Sequence, residues 1–144
     1  MNTTTTILES ARKTILSESE SIAKLVDYLT EDFAKSVDAI YKSKGRLVIT
    51  GIGKSAIIAQ KIVATLNSTG TPSLFLHASE AVHGDLGMVL PEDVIICISK
   101  SGNSPEIKVL VPLLKRFGNT LIGMTSDLNS FLGKESHYKL HAHV

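Results

Sequence analysis

Leu47-Val48-Ile49-Thr50-Gly51-Ile52-Gly53-Lys54-Ser55 is the stretch on which the fold turns. Residues 47–50 read as a buried strand and 51–55 as a glycine turn. Ile58, Ile62, Val63 and Leu66 then recur at the spacing of one helix face. Working outward, the same grammar repeats. Residues 73–76 form a second strand, with a short helical piece over 79–82. A polar, glycine-bearing stretch over 83–93 leads to a third strand, 94–98. After a turn over 99–103, Ser104-Pro105-Glu106 reads as an N-cap, a proline at the first helical position and an acid in the first turn. That helix runs to Phe117, with Gly118 as its stop. A fourth strand (120–125), a short helix (127–135) and a fifth strand (138–142) complete the series.

Upstream, Leu8, Ala11, Ile15, Ile22, Leu25, Val26 and Leu29 predict one amphipathic helix. Thr30, Glu31 and Asp32 open a second, with Phe33, Val37, Ile40 and Tyr41 on one face and Gly45 closing the region. Strands that are continuous apolar runs, alternating with helices, indicate a parallel sheet covered on both faces. The expected fold is therefore α/β: a three-layer α/β/α arrangement around a five-stranded parallel sheet, preceded by two N-terminal helices. The expected organisation is a helical segment, 1–45, packed on the same domain as the core, 46–144.

Composition narrows the function. The chain has 144 residues, 43% hydrophobic and 20% charged, with a net charge of +1. That suits one globular domain. No lysine or arginine stripe offers a nucleic acid its electrostatic footprint. Cys97 is the single cysteine, inside the apolar run 94–98, and reads as inert packing. No segment approaches the roughly 20 apolar residues of a membrane span. The N-terminus carries neither a basic nor an apolar leader region, so a cytoplasmic location is expected.

In an open α/β sheet, ligands bind where strand ends lead into helix N-termini. Two such loops are chemically unusual. In the first, Gly51 to Ala56, glycines let an anion approach the backbone and the helix start favours negative charge. A P-loop is excluded because Val48 stands where its first glycine belongs. A dinucleotide fingerprint fits loosely, with Ala56 in the third position, but it needs an acid after the second strand, where the chain has His77. A sugar-phosphate site built on Gly53, Lys54 and Ser55, or a purely structural turn with Lys54 in solvent, also fits. The second loop is Ser99-Lys100-Ser101-Gly102-Asn103-Ser104. Ser99, Ser101 and Ser104 offer hydroxyl donors, the backbone around Gly102 and Asn103 offers N–H groups, and a helix dipole stands behind them. The bland reading is that these serines only cap the helix.

Taken together, Gly51-Ile52-Gly53-Lys54-Ser55, the stretch 68–73, the block Glu80-Ala81-Val82-His83-Gly84-Asp85-Leu86-Gly87-Met88 and the serine turn with Glu106-Ile107 resemble the sugar isomerase (SIS) family. The likeness is strongest to its KpsF/GutQ-type D-arabinose 5-phosphate isomerase branch. The resemblance covers roughly residues 8 to 144. It implies a flavodoxin-like five-stranded sheet, a homodimer or homotetramer, and interconversion of D-arabinose 5-phosphate and D-ribulose 5-phosphate through an enediol. The product would feed synthesis of the octulosonate (Kdo) of lipopolysaccharide or capsule. No cofactor or metal is implied. The alternative is a non-catalytic module that binds a phosphosugar or nucleotide-sugar.

The same resemblance supplies the catalytic candidates Lys54, His83 and Glu106. Lys54 suits oxyanion or phosphate stabilisation. His83 can donate or accept a proton near neutrality. Glu106 stands where the helix dipole favours its ionised form. Asn103 replaces the glutamate common in relatives, and Lys100 replaces asparagine or glutamine. The family's downstream glutamate, its histidine-glycine motif and the paired CBS modules of some relatives do not occur in the sequence. A fragment, a truncated chain or a minimal variant is expected. His141 and His143 would share a strand face, without a third metal ligand nearby.

Overall fold

The structure, a computed structural model, describes residues 3–143. Five strands, β1 (Leu47–Gly51), β2 (Ser73–His77), β3 (Val94–Ile98), β4 (Thr120–Thr125) and β5 (Tyr138–His141), form one parallel sheet in the order β2-β1-β3-β4-β5. Every residue of β1 and β3 is buried, which is why these segments read as unbroken apolar runs.

Alternate side chains of each strand feed two cores. On one face, Val48, Leu76, Ile95, Cys97 and Leu121 meet α4 (Ala78–Ala81), α5 (Pro105–Arg116) and α6 (Phe131–Glu135). On the other, Leu47, Ile49, Ile96 and Ile122 meet α2 (Glu31–Lys42) and α3 (Lys54–Ser68). The Asp32 carboxylate also accepts the N–H of Lys139 at 2.9 Å, tying α2 to the edge strand β5. Thr30 holds the N-cap position of α2 but makes no side-chain cap.

The two N-terminal helices differ. α1 (Thr3–Lys24) continues into a 3-10 turn, Leu25–Tyr28, so the run read as one helix is broken before its end. α2 packs on the sheet, whereas α1 buries none of its residues. Periodicity could not foretell this, because an apolar stripe does not say whether its cover lies in the same chain.

The sheet's amino edge is closed by a buried carboxylate. Asp93 accepts from Arg46 N (2.7 Å), Arg46 Nη2 (2.8 Å) and Leu90 N (2.9 Å), and Asn119 Nδ2 donates to the carbonyls of Leu90 and Asp93. Burial alone would push the Asp93 carboxyl up. The Arg46 guanidinium and the two backbone N–H groups outweigh it and hold the carboxyl below the usual carboxylate range.

Candidate active site

The strand order reverses between β1 and β3, which pair in register from Leu47 with Val94 to Gly51 with Ile98. Their carboxyl ends therefore lie side by side at a topological switch point, where an open α/β sheet leaves a crevice. Both loops singled out in the sequence leave the sheet there. The end of β2 joins them, since His77 pairs with Gly51.

After β1, Gly53 takes φ +58°, a conformation side chains resist, and starts α3. Its carbonyl accepts from Ala56 and Ile57, while the N–H groups of Lys54 and Ser55 lie in the first turn, where no helical carbonyl reaches them. Lys54 is exposed and has no ion pair among the described residues. Ser55 is half-buried.

After β3, the serine turn is wound so that its hydroxyls keep their protons available. Gly102 N donates to Ser99 Oγ (3.1 Å) and Asn103 N donates to Ser101 Oγ (3.3 Å). Each oxygen is thus occupied as an acceptor, and its O–H remains a donor. Ser104 sits at the N-cap position of α5 with extended backbone, yet its side chain makes no cap, and its Oγ is buried without a partner. The capping role expected for it is absent. A hydroxyl left unbonded at the start of a twelve-residue helix is the site's most informative atom.

Gly102 adopts φ +64°, and any side chain would collide with Ser130 and Thr125. That crowding comes from a support the sequence reading missed. The carbonyl of Lys100 accepts from Thr125 Oγ1 (3.0 Å), Ser126 N (3.0 Å) and Ser126 Oγ (2.7 Å), and Gly102 O accepts from Leu132 N (2.9 Å). The signal was present as the run of small polar residues after β4. Asn103 belongs to this support rather than to an open cradle. Its Oδ1 accepts from Phe131 N and its Nδ2 donates to the Ser101 carbonyl, both at 3.0 Å. Its side chain is committed to joining two loops.

Glu106 is half-buried in the first turn of α5. His83 is exposed in the turn after α4, its N–H bonded to the Glu80 carbonyl and its ring free of any hydrogen bond among the described residues. Because α4 packs on α5, His83, just after α4, and Glu106, within α5, belong to the same layer. Thr50, at the end of β1, is a further buried hydroxyl without a partner.

The other histidines have structural work. His77 Nδ1 accepts from Ser79 N (3.3 Å) and caps α4, while His137 Nδ1 accepts from Leu121 N (3.0 Å). His141 stacks edge-on against Tyr28 with centroids 4.6 Å apart, and His143 lies 5.9 Å from His141. Among the described residues no group of three His, Cys, Asp or Glu side chains could hold a metal ion. Burial pushes the Cys97 thiol up to about 12, so it stays protonated and inert. No helix of the described residues is long and apolar enough to cross a membrane.

Comparison with known proteins gives this geometry a family. The chain is 47% identical over 133 residues to a probable arabinose 5-phosphate isomerase of Haemophilus influenzae, covering 92% of this chain and 40% of the relative. It is 44% identical over 137 residues to the arabinose 5-phosphate isomerase KdsD of Pseudomonas aeruginosa, covering 95% and 42%. It thus spans about two fifths of the length of these curated relatives. Among solved structures, an Escherichia coli CFT073 protein in complex with arabinose 5-phosphate superposes with a TM-score of 0.90 at 40% identity, covering 98% of this chain and 74% of the other. A sugar-phosphate isomerase homologue from Listeria monocytogenes superposes at 0.89 and 37% identity, covering 96% and 72%. The SIS domain model matches residues 39–144, a range that holds all five strands and both loops at the switch point, and the chain belongs to the SIS domain family.

Proposed function

We propose that this chain is the phosphosugar-binding core of an aldose–ketose isomerase that interconverts D-arabinose 5-phosphate and D-ribulose 5-phosphate. The observation that carries the proposal is the buried, unpartnered Ser104 hydroxyl at the N-terminus of α5, beside two serine hydroxyls whose protons are not used within the loop. A phosphate supplies the acceptors this arrangement lacks, and the dipole of α5 favours its charge. Ser99, Ser101, Ser104 and the backbone of Gly102 hold the phosphate, and Gly53 and Ser55 offer the N-terminus of α3 to the same ligand. Asn103 acts as a positioning residue.

In the reaction, the proton on C2 of the aldose is removed and a proton is returned to C1, while the oxygens exchange protons through an enediol. Glu106 takes the carbon proton, His83 serves the oxygens and Lys54 stabilises the oxyanion. The full activity, the supply of Kdo for lipopolysaccharide or capsule, a cytoplasmic setting and a homodimeric or homotetrameric state are part of the proposal, as is the division into a helical segment (1–45) and a core (46–144). The relatives' names, together with a solved relative bound to arabinose 5-phosphate, support the substrate.

The test is formation of D-ribulose 5-phosphate from D-arabinose 5-phosphate by the purified chain, followed beside direct calorimetric binding of the sugar phosphate. Turnover supports the proposal. Binding without turnover shifts the reading to a phosphosugar-sensing module, and no binding at all overturns both.

A further inference from the structure

His141 stands at the end of β5, on the carboxyl edge of the sheet, and its half-buried ring bonds to the loop that follows β4. Nε2 lies 3.1 Å from the Ser126 carbonyl oxygen. A carbonyl only accepts, so Nε2 carries the proton and donates. Tyr28, from the 3-10 turn that follows α1, meets the ring edge-on, with centroids 4.6 Å apart and planes at 76°. Ser126 passes the restraint on. Its N–H and its hydroxyl both donate to the Lys100 carbonyl, at 3.0 and 2.7 Å, and Thr125 Oγ1 adds a third donor at 3.0 Å. That oxygen has two lone pairs, so three donors leave it little freedom to turn. The peptide bond is planar and trans, so the Ser101 N–H points opposite to the Lys100 carbonyl. With the carbonyl held toward the end of β4, this N–H faces away from the β4 loop, and it has no partner among the described residues.

We propose that His141 is a positioning residue for the serine turn: through Ser126 and the Lys100 carbonyl it aims the Ser101 N–H at a bound phosphate. This rests on the reading of that turn as the phosphosugar site. Among the described residues no other group bonds the Ser126 carbonyl, so loss of the imidazole donor frees one end of the relay. The bonds from Thr125 and Ser126 to Lys100 remain, so the turn stays folded but is held less firmly. A fixed donor binds an anion better than a mobile one, because less ordering is left for the ligand to impose. The competing account is that the ring only packs on Tyr28. In that case phenylalanine replaces histidine without effect, since it keeps the edge-on contact.

The experiment is calorimetric titration of the full chain with D-arabinose 5-phosphate, beside amide hydrogen exchange of the unliganded chain read by mass spectrometry. His141→Phe is expected to lower the affinity about tenfold, the scale of one hydrogen bond to a charged group. Exchange over 99–104 should quicken by a similar factor, while exchange over 47–51 stays as in wild type. His141→Gln returns an amide donor at similar reach and should recover most of the affinity. Ser126→Ala and His141→Phe together should cost less than the sum of the two, because both act on one relay. Unchanged affinity in His141→Phe, unchanged exchange over 99–104, or equal losses in His141→Phe and His141→Gln overturns the proposal. A wild type that binds no phosphosugar defeats the proposed function instead, and the exchange data then decide the relay by themselves. Should His141→Phe unfold, His141→Gln against His141→Met, side chains of equal length with and without the donor, gives the same comparison.

Discussion

The two edges of the sheet treat polar groups in opposite ways. At the amino edge, the Asp93 carboxylate takes its donors from Arg46 and Leu90, and the Asn119 amide nitrogen reaches the carbonyls of Leu90, Pro91 and Asp93, while Asn119 Oδ1 lacks a partner among the described residues. At the carboxyl edge, Ser104 Oγ and Thr50 Oγ1 are buried with no partner, and Lys54 and His83 stand exposed and unpaired among the described residues. A buried hydroxyl without a partner destabilises a fold, so its persistence needs a reason. The contrast separates polar residues that hold the protein together from those that the proposed function assigns to a ligand.

The largest expected effect is on the carboxyl edge. Glu106→Gln should lower the rate of D-ribulose 5-phosphate formation by about 10³-fold, the range for loss of a general base, with the far-ultraviolet spectrum unchanged. Normal turnover would remove Glu106 from the chemistry and blur the division between the edges.

Next comes the amino edge. Asp93→Ala should destabilise the chain by about 3 kcal/mol in urea unfolding, because the Arg46 charge and the Leu90 N–H lose their acceptor together. The affinity of the folded fraction for phosphosugar should stay the same. A selective loss of affinity would show that the two edges are coupled.

Ser104→Ala sharpens the contrast further. Removing an unbonded hydroxyl should leave the melting temperature unchanged or slightly higher, while phosphosugar affinity falls about tenfold, as for a hydrogen bond to a charged group. A lower melting temperature with unchanged affinity would mean that this serine supports the helix after all.

The smallest effect is on acid stability. The Asp93 carboxyl titrates lower in the folded chain than in the unfolded one, where it lies at about 3.9. Its contribution is therefore complete above that pH and is lost as pH falls through the lowered folded value. Melting curves below about pH 4 should steepen their decline in wild type and lose that component in Asp93→Asn.

Much of this was legible from the chain. Apolar runs at 47–50 and 94–98 marked strands buried on both faces, and Gly53 and the serine turn marked the loops that leave the carboxyl ends of β1 and β3. The side-chain partners of Asn103 and Ser104 were not legible, because local pattern cannot say which group a side chain will meet. Asn103 finds its partner at Phe131, far along the chain, and Ser104 finds none. His77 left no readable signal, since a ring nitrogen capping a four-residue helix has no periodicity.

The order of elements, the parallel sheet and the glycine-bearing turns follow from residue spacing, because strand and helix periods and glycine conformations are local properties. The adjacency of β1 and β3, the scaffold of Thr125 and Ser126 beneath the serine turn, and the uncovered face of α1 were decided only in three dimensions. They depend on which surfaces meet across long stretches of chain, and no local pattern carries that information.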